Sequence, residues 1–436
     1  MKFPYELFFF ILNLNFINSI IRIPFKKIYK ESSINPENIM DILLYNDLQI
    51  NLEIGTPPQS YPVLIKLQES PTFIMSNNFT RNIKKYNPNN SSTYIKKERV
   101  ESYSQFHCYD SYYILDTLYF DEQKIKKDNF SLVLSNSAKF DSSLSSGELG
   151  LKFYSYNFNE KAHFLYQLKE KNLINYPIFT LEYKNNEEGN LIIGDYPHNF
   201  NNEIYKEEDF IYSYISTTNS VTQWNINLDK IISNNITIDI NANVELYYEL
   251  SFITGSENYY NTVYQSFFSK YLNNKSCSFE NLSKTSMYLY TVCNKNINIK
   301  NFPDLIFQSE NLKYNFTFNY SELFMEYNEK YYFLIVFKRY KDGWCLGEIF
   351  FKKYQIVFDK EKKIYGLYFK QSSPNKKNFF KFSAWIIVLI FGLLLIISFF
   401  LIIYLYRIIK KRRKIRANEL EDNFEYLPQL NYQVNN

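Results

Sequence analysis

From Leu44 to about Lys370 the chain is cut into short β-branched and aromatic runs separated by Asn, Ser, Gly and Pro. Leu48–Ile54, Tyr61–Leu67, Phe130–Leu134, Ile178–Tyr183, Leu191–Gly194, Tyr331–Phe337 and Tyr354–Phe358 alternate or stay apolar over strand lengths, and predict strands. Helical patterns are few, roughly Ala162–Lys171 and Tyr259–Leu272. Strands at this spacing over about 320 residues predict an all-β body, too long for one small core and therefore divided into two lobes. We expect those lobes at 44–210 and 211–370.

The flanks differ in kind. Residues 1–21 carry Lys2 and a largely apolar stretch from Leu7 to Ile21, the pattern of a secretory signal. Residues 22–43 begin with basic and apolar residues and continue as a polar segment containing Ser32, Ser33, Asn35 and Pro36. Near the other end, Ala384–Tyr406 holds no charged residue and is long enough to span about 30 Å of hydrocarbon. Trp385 and Tyr404 lie near its ends, and Arg407, Lys410, Lys411, Arg412, Arg413, Lys414 and Arg416 follow at once. These features predict a single transmembrane helix at 384–406, a stalk at 371–383 and a cytoplasmic tail at 407–436. The body would lie in the lumen of the secretory pathway or outside the cell, as in a single-pass type I membrane protein.

Charge excludes one class of partner. The net charge is +4, from 49 Lys and Arg against 45 Asp and Glu. Seven of the basic residues form the patch after the apolar segment, so the rest of the chain is slightly acidic. The basic excess is a stop-transfer feature that can touch anionic lipid; it is no footprint for nucleic acid. Four cysteines, Cys108, Cys277, Cys293 and Cys345, form no CxxC pair, and His107, His163 and His198 are scattered without metal spacing. No metal or cofactor is expected. There is also no G-x-S-x-G elbow and no P-loop.

The body carries an ordered set of motifs. Ile54-Gly55-Thr56-Pro57-Pro58-Gln59 opens it, Asn90-Ser91-Ser92-Thr93-Tyr94 and Asp116-Thr117-Leu118 follow, and then Gly147-Glu148-Leu149-Gly150-Leu151. Gly189–Gly194, Trp224, Phe302–Phe307 and Leu346–Tyr354 continue the series, which ends on Val357-Phe358-Asp359 and Gly366. In order and spacing this set resembles the pepsin-like aspartic proteases (peptidase family A1), and is most similar to their plasmepsin branch. The resemblance covers nearly the whole body and implies a bilobed all-β pepsin-like fold. It also implies a propeptide-like role for 22–43, with a mature basic amino-terminus as the alternative. It pairs Cys277 with Cys293; closing that loop would stabilise by roughly 3 kcal/mol in the chain-entropy model. Cys108 and Cys345 are left as free thiols.

The same resemblance exposes a conflict with the chemistry. Family members place the first catalytic Asp of a D-T-G triplet seven residues after the Gln of the opening hexapeptide, and that position here is Lys66. The triplet has become Lys66-Leu67-Gln68. Two carboxylates sharing a proton are the core of aspartic protease chemistry, and a lysine has only donors. Glu69, the nearest carboxylate, would need the register slipped by three. At the second site either Glu245, in Val244-Glu245-Leu246-Tyr247-Tyr248, or Ile253, before Thr254-Gly255-Ser256, takes the place of the second Asp. In the first of these registers Lys66 would pair with Glu245. Tyr103 and Tyr109 are the candidates for the aromatic residue of the flap. The chain is thus expected to be a pseudoprotease that binds a peptide or protein in its interlobe cleft. The alternatives are an active aspartic endopeptidase with atypical residues, or a structural surface protein with a vestigial cleft.

Overall fold

A computed structural model describes residues 20–28, 43, 47–69, 71–78, 83–100, 108–119, 127–138, 145–153, 163–215, 223–234, 236–273, 275–281, 288–338, 343–368 and 403–412. The body holds two β-sheets. The amino-terminal strands are β1 (Ile21–Ile28), β2 (Asp47–Ile54), β3 (Gln59–Lys66), β4 (Phe73–Met75), β5 (Ile95–Arg99), β6 (Cys108–Tyr119), β7 (Lys127–Ala138) and β8 (Gly147–Gly150). They are followed by β9 (Ile178–Tyr183), β10 (Glu188–Ile193) and β11 (Phe210–Tyr214). Next come β12 (Asn225–Ser233), β13 (Ile236–Leu246), β14 (Ile253–Ser256), β15 (Cys277–Asn281), β16 (Tyr288–Asn294), β17 (Leu305–Ser309) and β18 (Tyr314–Phe318). The last are β19 (Phe324–Tyr327), β20 (Lys330–Phe333), β21 (Ile335–Lys338), β22 (Cys345–Leu346), β23 (Ile356–Asp359) and β24 (Ile364–Tyr368). Short or medium helices among the described residues include α1 (Phe164–Glu170), α2 (Pro197–Phe200), α3 (Tyr260–Asn273), α4 (Tyr320–Leu323) and α5 (Glu348–Lys353).

The first sheet has thirteen strands in the order β11-β24-β23-β9-β10-β1-β2-β3-β8-β4-β7-β6-β5, and β2 pairs β6 as well. The second runs β18-β17-β12-β13-β22-β14-β21-β16-β20-β19, with β15 on β16. The expected strands are found, with Tyr331–Phe337 divided into β20 and β21. The lobe boundary expected at 210/211 falls inside β11, and β23 and β24 return from the carboxy-terminal half to complete the first sheet. The two halves are therefore joined by shared strands as well as by packing.

One buried indole ties the halves together. Trp224 is wholly buried, packs on Phe153, Phe179 and Phe358, and donates its Nε1–H to the Leu151 carbonyl at 2.9 Å. The Cys277–Cys293 disulfide is present where β15 meets β16, and Cys345 is a buried free thiol. Asp116, fully buried at the base of the β5–β6 hairpin, accepts from Ser91 (3.0 Å), Thr93 (2.6 Å) and the Tyr86 hydroxyl. The Ser-Ser-Thr-Tyr and Asp-Thr motifs are thus two halves of one polar knot, which satisfies the buried carboxylate with several donors. β5 above it is exposed along its whole length.

β1 belongs to the segment with a propeptide-like sequence, and it lies inside the first sheet between β10 and β2. Ile23 and Phe25 face the core, while Lys27 reaches the other half and meets Glu348 of α5 at 2.9 Å. Both side chains are almost fully covered, and Lys352 meets the same carboxylate at 3.1 Å. Among the described residues no helix is long and apolar enough to cross a membrane. Most of the expected span at 384–406 lies outside the described residues, and 403–412 form a helix. The signal-like residues 1–19, the stalk and the tail beyond 412 also lie outside them.

Removing one partner of a buried ion pair leaves the other charge uncompensated. Lys27→Met is therefore expected to lower the unfolding free energy by about 3 kcal/mol in urea denaturation. Glu348→Gln, which takes the shared carboxylate away from both Lys27 and Lys352, is expected to be at least as costly.

Candidate functional site

The two sheets contain the same local device. In the first, β3 ends at Lys66 and β4 begins at Phe73; β8 is threaded between them, parallel to β3 and antiparallel to β4. In the second, β13 ends, the chain turns through 247–252, and β14 returns; β22 is threaded between them in the same sense. The registers can be superposed residue by residue. Lys66 stands opposite Gly150 of Leu149-Gly150. Leu246 stands opposite Leu346 of Leu346-Gly347, so Tyr247 is the next step, and its N–H donates to the Leu346 carbonyl at 3.0 Å. The far arms agree: Phe73 faces Glu148 and Thr254 faces Cys345, seven residues after Lys66 and Tyr247 respectively. Gly347 permits the tight crossing, since a Cβ there would lie 2.0 Å from the Phe252 carbonyl oxygen.

This register corrects both expectations for the second site. Tyr247-Tyr248-Glu249 is the counterpart of Lys66-Leu67-Gln68. Glu245 lies two residues earlier on the exposed face of β13, because Val244 and Leu246 take the inward positions of the alternating strand. Lys66 pairs with Asp47 and Glu249 instead. Ile253 is fully buried in β14, on the far arm. Of the flap candidates, Tyr103 lies outside the described residues and Tyr109 is placed by its backbone within β6.

Lys66 is held between carboxylates from both halves. Its Nζ donates to Asp47 Oδ1 at 2.7 Å and to Glu249 Oε2 at 2.9 Å. The lysine side chain is 13% exposed. Burial alone would lower its pKa, but Glu249, Asp47 and Glu148 outweigh that and hold it well above the usual lysine range. The Tyr247 hydroxyl donates to the same Glu249 oxygen at 3.0 Å. Two further bonds cross between the turns. Gln68 Nε2 donates to the Leu246 carbonyl at 3.3 Å, and the Tyr248 hydroxyl donates to the Ile65 carbonyl. Each turn thus bonds the residue that precedes the other turn's first position. Sequence reading missed Asp47, Tyr247, Tyr248 and Glu249; the Leu-Gly pairs at 149–150 and 346–347, used as matching rulers, were the signal that would have located the last three.

The arrangement can bind and brace; it does not make a proton-sharing pair. A dyad needs two carboxyls in direct contact with one proton between them. Here the two carboxylates that meet, Asp47 and Glu249, are bridged by an ammonium that keeps its own proton. His107 lies outside the described residues, and the two described histidines stand apart from Lys66. His163 caps α1 through Nδ1 and meets the Lys152 carbonyl through Nε2, and His198 bonds Tyr368 at 2.8 Å. Among the described residues no group of three His, Cys, Asp or Glu is arranged to hold a metal ion.

Replacing Lys66 by Met keeps the length of the side chain and strips Asp47 and Glu249 of their common cation. We expect Lys66→Met to lose about 3 kcal/mol of stability at neutral pH. The loss should shrink in acid, where the stranded carboxylates take up protons, and urea denaturation at the two pH values measures it.

No curated protein sequence matches the chain. A family model described as eukaryotic aspartyl protease matches residues 48–368, which includes both crossed devices and all but β1 and the first residue of β2. With two β-sheets, paired turns and a match over most of its length, the chain belongs to the eukaryotic aspartyl protease family.

Proposed function

We propose that the chain is a membrane-anchored, non-catalytic member of the family that binds a peptide or protein segment between its lobes. The observation that carries this reading is the clamped ammonium of Lys66, at the position where the family's motif calls for a catalytic Asp. Its counterpart is Tyr247, a residue that cannot act as a carboxylate. Restoring a dyad would take changes on both turns, because Gln68 and Glu249 fill the space in which each turn approaches the other.

The binding role rests on what the body retains. The β5–β6 hairpin keeps its polar anchor on Asp116, and an extended ligand can pair with strand edges by backbone hydrogen bonding. Membrane attachment rests on the apolar segment 384–406 and the basic cluster after it. The Cys277–Cys293 disulfide supports an oxidising compartment for the body.

Purified full-length chain incubated in acid with a diverse peptide library is expected to give no cleavage, and Lys66→Asp alone is expected to restore none. Pepstatin-sensitive turnover by the unmodified chain would overturn the proposal.

A further inference from the structure

The lobe junction holds more acid than its cation can neutralise. Lys66 faces Asp47 at the start of β2, Glu69 in its own turn, Glu148 on β8 and Glu249 in the opposite turn. Lys152, just past β8, is the other cation facing Glu69. The strand on the far side of β8 is β4, whose Phe73, Ile74 and Met75 bring no charge. Tyr247 and Tyr248 complete the ring, and both face Glu249.

Two of these carboxyls sit where an ionised group is disfavoured. Glu148 is 7% exposed, on the strand paired with that of Lys66. Glu249 spends Oε2 on Lys66 and Tyr247, while its Oε1 is buried without a partner. A buried carboxylate with no donor is costly when charged and tolerable when neutral. The cluster also sits on the bonds that join the two turns: Lys66 to Glu249, Gln68 to the Leu246 carbonyl, and Tyr248 to the Ile65 carbonyl.

We propose that Glu69, Glu148 and Glu249 around Lys66 form a proton-operated latch between the two lobes, closed when the surplus carboxyls are protonated and loosened when they ionise. In the closed state the protonated carboxyls leave the Lys66 ammonium fewer negative charges to balance. In the loosened state further negative charges crowd the same buried space, and the bonds between the turns must stretch to admit water.

The direction of the pH response follows from the surroundings. Burial pushes Glu148 up to about 8, with Lys66 pulling it down and Glu69, Glu249 and Asp47 pushing it higher. Burial likewise pushes Glu69 up to about 7, against Lys152 and Lys66. The unfolded chain releases these protons near 4.5. Between that value and about 8 the folded form therefore binds more protons, and its stability falls as pH rises. The latch is at its tightest in acid and opens through neutrality.

Thermal melts of the full-length chain and of the Glu69→Gln, Glu148→Gln double variant test the latch. The native melting temperature is expected to fall by about 5 °C or more between about pH 5.5 and about pH 8.5, while that of the double variant changes by less than about 2 °C. Hydrogen exchange gives the location: after correction for intrinsic pH dependence, amides of residues 66–69 and 246–250 should open about tenfold more at the higher pH in the native chain alone. Parallel slopes in the two proteins, or opening spread evenly over the body, would overturn the proposal. Should the double variant not fold, Glu69→Gln alone decides by the same measurements, with about half the native slope expected and an unchanged slope counting against the latch.

Discussion

A single ammonium between two carboxylates organises the centre of this molecule. Lys66 arrives from the first sheet, Glu249 from the turn of the second, and Asp47 from the start of β2. Nearly buried, the charge can exist only because both anions are in contact with it, and each anion is tolerable only because of the lysine. The three groups therefore fix one another, and with them the distance between the two turns. Gln68 and Tyr248 follow from that spacing, since each spans from its own turn to the carbonyl before the other's first position.

Much of the family's sequence signature survives here for reasons of packing. Asp116 is the hub of a hydrogen-bonded knot, Trp224 joins aromatic rings from both halves, and Gly347 lets two backbone segments cross at contact distance. These residues would be needed by any chain that folds this way, whatever its chemistry. The places where the signature fails are the two turns where protease chemistry would be done. On the proposed reading, fold and reaction part along that line, as they can when a site is built on a scaffold that does not depend on it.

The fold was legible in the sequence because short alternating strands and ordered motifs agreed with each other. The first turn was legible too, since the opening hexapeptide is rigidly spaced from Lys66. The second turn was not. Glu245 was set in the place of the second Asp by matching Val244-Glu245-Leu246-Tyr247-Tyr248 to the family's motif, yet strand alternation sends it to the exposed face of β13 and leaves Tyr247 as the counterpart of Lys66. Asp47 and Glu148 were hidden for another reason: they reach Lys66 from neighbouring strands, and strand neighbours far apart in sequence leave no local pattern. The return of β23 and β24 to the first sheet was likewise invisible to a single boundary drawn along the chain.

The central claim is that Lys66 is a permanently charged brace, and the side-chain nitrogen resonance of that lysine reports it directly. In nitrogen-labelled full-length chain, assigned by loss of the signal in Lys66→Arg, the account predicts an ammonium that stays protonated from acid to beyond the ordinary lysine value of 10.5. A Lys66 signal that titrates to the neutral amine near or below neutrality would contradict it, because such a lysine would be free to take a proton from a reacting group.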